Sequence, residues 1–322
     1  MDSIPVSLKE SIRLKAAELG FCAAGFAAVS PQPVAMGHLR EMVAEGRHGE
    51  MRYIETGMAE REDPSLLLAG IKTVLSAAIA GPVRAARDET DGLLSAHAAV
   101  PDYHRVVRNL LMELLEFIRA EAVAPVNGLA CVDGAPVLEK AWAEAAGIGR
   151  TGKNTLLIVP GAGSMIFLGE LLLDIDIEPD EPLDWDPCGN CIACLNACPT
   201  GALTAAGRID ARRCISYMTI ELKRDFSEQE AAMTAPWLFG CDRCMEACPH
   251  NQTRSVPPHP AFTPYPDIAK LTAEKVLELT GSTFRKHFAD TTVMRLGLKR
   301  LKRNAKAVIE KKPRESRINQ NK

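Results

Sequence analysis

Hydrophobic side chains recur at helical spacing in two segments near the start of the chain. Residues 6–19 follow this spacing. Ser7, near the start of this segment, is a residue type that commonly caps the first turn of a helix. Residues 105–122 follow it more strongly, through a stripe of aliphatic side chains: Val106, Val107, Leu110, Leu111, Leu114, Leu115 and Ile118. The pattern therefore predicts two amphipathic helices, the second with one face in the core.

Two shorter runs are continuously apolar and suit buried strands. Residues 73–80 end at a Gly-Pro pair, which terminates regular structure, and residues 156–159 form the second run. Prolines at positions 179, 182 and 187 mark a linker, and residues 268–311 return to helical spacing after a proline-rich stretch. These signals predict three regions: an α/β domain over residues 1–182, a cysteine-rich domain over 183–253 and a helical, basic region over 254–322.

Composition places the chain among ordinary globular proteins. Its 322 residues allow about two domains, and 47% hydrophobic with 25% charged residues is typical of a folded core. No run reaches the length of a membrane span, and the first residues lack the basic-then-apolar order of a signal peptide. We therefore expect a cytoplasmic protein that does not engage a membrane.

The charge is unevenly distributed, although the net value is only −3. The segment from Arg295 to Lys322 carries eleven Lys or Arg residues, opposed only by Glu310 and Glu315. A basic segment of this kind is typical of polyanion binding, for example to RNA. An equally acceptable interpretation is a solvated, partly disordered C-terminus.

Eight of the ten cysteines form two linked runs with the spacing of a double-cluster ferredoxin. The first run is C-x2-C-x2-C-x3-C-P, and the second places one cysteine ahead of a C-x2-C-x3-C-P stretch. In two-cluster ferredoxins the fourth cysteine of each run binds the other cluster. The crossing predicts one [4Fe–4S] cluster on Cys188, Cys191, Cys194 and Cys248, and a second on Cys198, Cys214, Cys241 and Cys244.

Disulfides and structural zinc are the alternatives for these cysteines. Disulfides are typical of small secreted domains. Structural zinc sites typically contain paired C-x2-C motifs, without the third cysteine and the C-P ending seen here. Both alternatives fit the spacing less well than iron–sulfur clusters do. Cys22 and Cys131 lie outside the pattern, and we interpret them as small buried hydrophobic residues.

Glycines cluster around a lysine between residues 147 and 155, followed by a second glycine-containing stretch at 163–170. Closely spaced glycines let a backbone approach a bulky ligand. The stretch is neither a phosphate-binding P-loop nor a strong dinucleotide fingerprint, because the required spacing is absent. On pattern alone it is a weak indication of a cofactor pocket.

These motifs, in this order, resemble the epoxyqueuosine reductase family. The resemblance spans roughly residues 8–252 and rests on these stretches: 49–53 (GEMRY), 61–64 (REDP), 102–104 (DYH), 133–140 (DGAPVLEK), 146–158 (AGIGRTGKNTLLI), 163–170 (GSMIFLGE), 210–217 (DARRCISY) and the cysteine runs. It implies a cobalamin-binding, nitroreductase-like α/β (α+β) domain, a bacterial-ferredoxin-like domain with two [4Fe–4S] clusters, and a short helical C-terminal tail. It also implies a cobalamin-dependent reductase that converts epoxyqueuosine to queuosine at the wobble position of tRNA.

The resemblance further implies roles for single residues. Asp133 corresponds to the family's general acid, and its pKa must be raised for it to donate a proton at neutral pH, which burial beside a corrin would achieve. No protein histidine is expected below the cobalt. The implied cofactor contacts are Tyr103, His104, Gly152, Lys153, Asn154 and Ser164.

Each of these residues also has an ordinary structural interpretation. Asp133 precedes a glycine, as in many turns, and Lys153 with Asn154 could simply close a loop. His104 could be a core histidine, and Glu139 could pair with Lys140 or Arg150 on the surface. The chain also departs from the family at Arg150-Thr151 and at residues 97–101.

The electron source and the mode of tRNA binding are less well indicated. We expect an external one-electron donor of the flavodoxin or ferredoxin type and a monomeric protein. Many family members continue into a HEAT-like helical domain, which we expect here to be missing or reduced, with the basic segment compensating. Two other functions stay open: a cobalamin and iron–sulfur reductase of a small molecule, and an electron-transfer protein without cobalamin.

Overall fold

The computed structural model describes residues 7–84 and 92–311 of the chain. Long helices and strands alternate in the first half, and short helices dominate the second. The α-helices are α1 (Leu8–Glu18), α2 (Pro33–Ala44), α3 (Arg52–Thr56), α4 (Met58–Glu62), α5 (Tyr103–Glu121), α6 (Glu139–Ala145), α7 (Ala193–Ala197), α8 (Ile215–Ile220), α9 (Glu228–Thr234), α10 (Arg243–Glu246), α11 (Pro249–Gln252), α12 (Pro266–Ala269), α13 (Ala273–Glu278), α14 (Gly281–Phe288), α15 (Val293–Leu296) and α16 (Leu298–Lys311). The strands are β1 (Phe21–Ala28), β2 (Thr73–Ala80), β3 (Leu93–Leu94), β4 (Gly128–Cys131), β5 (Arg150–Thr151), β6 (Leu157–Ile158), β7 (Ile166–Leu173), β8 (Leu203–Ala205), β9 (Arg208–Ile209) and β10 (Trp237–Phe239).

The N-terminal predictions are largely confirmed. Helix α1 begins after Ser7, whose side chain accepts a hydrogen bond from the Glu10 amide (3.2 Å), and β2 matches the predicted strand. Helix α5 begins two residues before the predicted stripe because the Asp102 side chain caps it. The second predicted strand is shorter than expected, since only β6 pairs regularly, with β5.

The main sheet is antiparallel and has the order β1-β2-β7-β4. Helices α1 and α5 pack on one face through buried side chains such as Ile12, Leu111 and Leu115. Helix α6 covers the other face, where Trp142 is buried against β2 and β7. Gly25 permits this contact, because a Cβ at that position would lie 2.0 Å from the Ala146 carbonyl oxygen. The domain is therefore of the α+β kind, and its sheet carries helices on both faces.

The cysteine-rich region is attached to the sheet domain rather than separated from it. Strand β10 pairs in parallel with β3, which precedes it by more than a hundred residues in the chain. The Glu50 amide donates to the Tyr217 hydroxyl (2.7 Å), and Gly49 (φ 63°) approaches the same ring so closely that a Cβ there would clash with it. Two stretches that carry the family resemblance thus meet in space.

The C-terminal helices form part of the folded structure. Helices α13 to α16 share a hydrophobic cluster with residues of β3 and β10, in which Leu301, Ala305 and Val308 of α16 are buried. Arg303 donates to the Met218 and Leu222 carbonyls, and the fully buried Asn304 donates to the Thr219 and Leu238 carbonyls. The interpretation as a solvated tail is therefore wrong for residues 295–311.

The remainder of the basic segment, residues 312–322, lies outside the described residues. Within the part of the chain that the structure covers, none of the helices combines the length and apolarity needed to cross a bilayer.

Candidate active site and cluster sites

Asp133 lies in a tight loop just after β4. Its backbone is in the left-handed region (φ 48°), and the next amide, of Gly134, donates back to the Val132 carbonyl (2.5 Å). The Asp133 side chain is 57% exposed, and we term the space in front of its carboxylate, beside Tyr103 and His104, the recess. The sequence-based alternative of an Asp-Gly turn is thus correct for the backbone, while the carboxylate points into a polar cluster.

The first turn of α5 supplies two neighbours of this carboxylate. The Tyr103 hydroxyl donates to Asp133 Oδ2, and His104 Nε2 lies 3.1 Å from the same oxygen. Tyr103 is held by parallel stacking on Phe167, with ring centroids 4.3 Å apart. His104 is held by Asp102, whose Oδ1 lies 2.7 Å from Nδ1 of the ring. His104 is therefore part of a carboxylate–imidazole–carboxylate chain, and the interpretation as a core histidine is wrong.

A residue from the C-terminal region completes the cluster. Nη2 of Arg295, on α15, lies 3.0 Å from each ring nitrogen of His104. From the sequence, Arg295 was only one of eleven basic residues in a charged segment. No local signal marks it, because its partner lies in α5 and the two meet only in the tertiary structure.

The charges around Asp133 determine its proton affinity. Partial desolvation in the recess raises its pKa, but hydrogen bonds from His104 and Tyr103, together with the positive charges of His104 and Arg295, outweigh it, so the pKa lies below the ordinary value. Burial lowers the pKa of His104, but its hydrogen bonds to Asp102 and Asp133 outweigh that effect and raise it overall. The partners of Asp133 in this cluster favour its ionised form, and the raised pKa expected from burial beside a corrin stays a prediction.

The ordinary interpretation of Glu139, a surface pair with Lys140 or Arg150, is wrong. Glu139 begins α6 and accepts a hydrogen bond from the backbone amide of Asp133. The neighbouring Lys140 instead donates its Nζ to the Thr155 carbonyl (2.7 Å). Helix α6 therefore connects the Asp133 loop to the glycine-rich turn.

The glycine-rich turn lies against the cysteine-rich region. The Lys153 amide points at Cys188 Sγ (3.4 Å), and its ammonium group donates to the Gly189 carbonyl (2.5 Å). Asn154 is 3% exposed, and its Nδ2 has no hydrogen-bond partner among the described residues. Thr155 has a positive φ of 67°. Among the described non-glycine residues, Asp133 is the other one with a positive φ. Such strain is typical of functional sites.

Ser164 joins the same boundary from the sheet side. Its hydroxyl accepts from Asn251 Nδ2 (3.0 Å), and its amide donates to Asn251 Oδ1 (2.7 Å). Of the residues singled out from the sequence, the structure brings Tyr103 and His104 to Asp133. It groups Gly152, Lys153, Asn154 and Ser164 at the boundary with the cysteine-rich region.

The eight cysteines fall into two neighbouring groups. Burial raises the pKa of Cys194 and of Cys248. The charges of Cys188 and Cys248 add to this effect at Cys194, and those of Cys188 and Cys191 add to it at Cys248, so these four thiols lie near one another. Burial likewise raises the pKa of Cys214, Cys241 and Cys244. Charges of neighbouring thiols add to it, from Cys198 at Cys214, from Cys214 and Cys244 at Cys241, and from Cys214, Cys198 and Cys194 at Cys244. These neighbours are compatible with the crossed spacing, and the assignment of each cysteine to one cluster stays a prediction.

The environment of the thiols suits cluster binding. Backbone amides of Lys153 and Ala202 point at Cys188 and Cys198 sulfurs (3.4 and 3.3 Å), as expected around an iron–sulfur cluster. Within the described ranges, no three His, Cys, Asp or Glu side chains converge on a single metal ion. The cysteines of a cubane need not converge in this way, because each binds a different iron.

Comparisons with known proteins agree with this arrangement. Residues 61–134 match the family described as "Epoxyqueuosine reductase QueG, DUF1730", and residues 187–251 match the "4Fe-4S double cluster binding domain". The chain is 37% identical over 295 residues to an epoxyqueuosine reductase of Cellulophaga algicola, covering 91% of this chain and 95% of the relative. It is 41% identical over 254 residues to that of Pseudomonas aeruginosa, covering 77% and 70%.

Solved structures give the same result. A crystal structure of epoxyqueuosine reductase with an epoxyqueuosine-modified tRNA-Tyr stem loop superposes with a TM-score of 0.87 at 31% identity, covering 94% of this chain and 80% of that one. The Bacillus subtilis enzyme, in a form whose catalytic Asp loop is swung out of the active site, gives a TM-score of 0.85 at 31% identity, with coverages of 94% and 81%. On sequence and fold together, the chain belongs to the epoxyqueuosine reductase family.

Proposed function

We propose that this protein reduces epoxyqueuosine to queuosine in tRNA, using two [4Fe–4S] clusters and cobalamin. The observation that carries the proposal is a continuous chain of contacts from Cys188 to Asp133. It runs through Lys153, the turn ending at Thr155, and Lys140 and Glu139 at the start of α6. An electron-carrying site and a proton-donating site are thus connected through one turn and the start of one helix.

The residues present fit both cofactors. Two groups of four thiols, with backbone amides directed at sulfur, provide the donor set that a pair of [4Fe–4S] clusters requires. The glycine-containing turn, with a buried and unpartnered Asn154 amide, offers a polar group to a large ligand. Gly152, Lys153, Asn154, Ser164, Tyr103 and His104 are our candidates for the cobalamin-binding residues.

The overall reaction removes an epoxide oxygen as water and consumes two electrons and two protons. When bound, cobalamin supplies a strongly nucleophilic low-valent cobalt, and the clusters supply its electrons. The protein must position the epoxide against the recess and protonate the oxygen as its bond to carbon breaks. Asp133 is the group placed to do this, because its carboxylate lies at the open rim.

The proton that Asp133 delivers is held by its neighbours between turnovers. Asp133 is ionised at neutral pH because its pKa is low, whereas His104 favours its charged form. His104 Nε2–H therefore donates to Asp133 Oδ2, and the proton moves along this hydrogen bond as the substrate oxygen becomes basic. Asp102 and Arg295 orient the imidazole ring for the transfer.

The two cysteine groups give the electrons a direction. The group containing Cys188 touches the glycine-rich turn, so it lies beside Lys153, one of the residues that would hold cobalamin. The group containing Cys214 is next to it: burial raises the pKa of Cys244, and the charges of Cys214 and Cys198 in its own group and of Cys194 in the other group raise it further. We infer that electrons enter at the second group from an external donor of the flavodoxin or ferredoxin type, and that the protein works as a monomer.

The substrate class follows from the relatives. A family member binds an epoxyqueuosine-modified tRNA stem loop, and the fold superposes on it over 94% of this chain. The recess at Asp133 is accessible to a base presented at the tip of such a loop.

For the domain organisation we keep three predictions: a nitroreductase-like domain at residues 1–182, a ferredoxin-like domain at 183–253 and a C-terminal region at 254–322.

Nucleoside mass spectrometry tests this function. The protein would be reconstituted anaerobically with iron, sulfide and cobalamin, reduced, and incubated with epoxyqueuosine-containing tRNA. We expect queuosine to form only when cobalamin is present. No conversion, with both clusters and cobalamin verified as bound, would favour a small-molecule reductase. Failure to retain cobalamin at all would favour an electron-transfer protein.

A further inference from the structure

A buried acidic side chain lies behind the Asp133 loop and has no role in the chemistry above. Glu170, on β7, is fully buried, and neither of its oxygens has a hydrogen-bond partner among the described residues. The sheet register places Ser76 of β2 and Cys131 of β4 directly opposite it, on the face that α6 covers. An unpaired carboxylate at such a place would be very costly, so Glu170 is neutral and keeps its proton.

Glu139 connects this buried row to the active site. It lies at the start of α6, which covers Ser76, Glu170 and Cys131. Burial raises the pKa of Glu170 and of Cys131, and the negative charge of Glu139 raises both further. Its carboxylate also accepts the hydrogen bond from the Asp133 backbone amide. Glu139 therefore links the interior of the sheet domain to the Asp133 loop.

The Asp133 loop needs such a contact. A non-glycine residue at φ 48° is sterically disfavoured, so surrounding interactions must hold it there. The amide of Asp133 bonds to Glu139, while its carboxylate bonds to Tyr103 and His104. If the amide contact weakens, the loop can relax and the carboxylate leaves the position from which it donates a proton.

We propose that Glu139 is a positioning residue: its carboxylate latches the Asp133 loop in place when ionised and releases it when protonated. This inference rests on the proposed function for its consequence, the proton delivery by Asp133. Its structural part, the latch, stands without it. Glu170 is a neutral neighbour and does not act as the latch.

The surroundings of Glu139 place the switch near neutral pH. Burial and the charge of Asp133 raise its pKa to about 7, whereas the hydrogen bond from the Asp133 amide favours the ionised form. The ionised form, and hence the latched loop, is favoured as pH rises through this value. The charged and titratable groups facing Glu139 are Asp133 in the loop, Tyr103 and His104 on α5, Arg61 on α4, Cys131 on β4, Glu170 on β7 and Lys140 on its own helix.

Hydrogen–deuterium exchange of the full-length, cluster-loaded protein tests the latch. The readout is the protection of the Asp133 amide in a peptide spanning residues 129–138, at pH 6 and pH 8, corrected for intrinsic exchange. We expect about tenfold greater protection at pH 8, because a hydrogen bond to a charged acceptor is stronger than one to a neutral group. In Glu139→Gln we expect protection to be low at both values.

Glu170→Gln is the matched control, since it replaces the other buried carboxyl with a neutral group of the same size. It should keep the wild-type pH dependence. The proposal is overturned if the wild-type protein shows equal protection at both pH values, if Glu139→Gln keeps the dependence, or if Glu170→Gln alone loses it. The wild-type comparison needs no variant, so poor folding of Glu139→Gln would still leave a decisive result.

Kinetics separate the latch from a general loss of structure. Glu139→Gln should lower kcat for queuosine formation about tenfold at pH 8 while the KM for tRNA stays unchanged, because only the proton-donating loop is affected. The exchange experiment contains no tRNA. Inactivity of the wild-type protein would therefore count against the proposed function alone, and unchanged exchange with full activity would count against the latch alone.

Discussion

The cysteine-rich region and the Asp133 recess assemble their functional groups in opposite ways. Seven of the eight thiols come from two short runs, 188–198 and 241–248, so local backbone turns hold most ligands of each group. The recess instead draws on four separated elements: the loop after β4, the first turn of α5, the start of α6 and α15. Electrons tolerate a gap between donor and acceptor, whereas a proton moves only along a hydrogen bond. The proton site therefore depends on tertiary packing in a way that the cluster sites do not.

The largest expected effect is on the cluster side of this comparison. Cys194→Ser should lose one cluster, lowering bound iron by about half, and should abolish queuosine formation because the electron path is interrupted. Iron analysis and nucleoside mass spectrometry measure the two outcomes. Cys22→Ser is the control, since that thiol lies outside both groups and donates to the Ala78 carbonyl (3.3 Å). Full iron content in Cys194→Ser would contradict the ligand assignment.

Substitutions in the recess should change the rate of queuosine formation and its pH dependence, whereas the iron content of the protein should stay the same. His104→Gln should lower turnover about a hundredfold, because it removes the proton held next to Asp133, and should leave both clusters intact. In the wild-type protein, turnover should fall as pH rises through the raised pKa of His104, because only the protonated ring can resupply Asp133. This decline should disappear in His104→Gln. A variant that retains the same decline would show that another group supplies the proton.

The difference between local and tertiary assembly explains which features the sequence could predict and which it could not. Strand β2 and helices α1 and α5 follow from periodicity over a few residues, and the structure agrees with each. The grouping of the cysteines follows from their spacing and stays a prediction. Asp133 was found only through the family resemblance, because Asp-Gly by itself indicates a turn. The spacing contains no information on which distant side chains a carboxylate will meet.

Three features of the recess could not be predicted for this reason. The low pKa of Asp133 comes from His104, Tyr103 and Arg295, none of which is close to it in sequence. The contact between Glu139 and the Asp133 amide depends on how α6 packs over the sheet. Arg295 was assigned to a charged tail, whereas it reaches His104 because α15 folds back onto the start of α5.

The smallest expected effect concerns tRNA affinity. Deleting residues 295–322 is not a clean test, because Leu301, Asn304 and Val308 are buried and their loss would unfold the C-terminal helices. Deleting 312–322 removes only the last four basic residues and one glutamate. We expect a several-fold loss of tRNA affinity and a shallower dependence on salt, measured by binding titrations between 50 and 200 mM salt. Unchanged affinity and slope would show that this segment does not contact the RNA.

The central claim, that electron delivery and proton delivery are separate functions of the two regions, is tested most directly by Asp133→Asn. The holoenzyme would be reduced anaerobically, cobalamin reduction followed by absorbance, and queuosine formation measured in the same sample. Asp174→Asn is the matched control, since Asp174 accepts from the Asn127 amide (2.8 Å) at the opposite end of β4. We predict normal cobalamin reduction with queuosine formation at least about a hundredfold slower in Asp133→Asn. Wild-type product formation, or loss of cobalamin reduction together with product, would contradict the account.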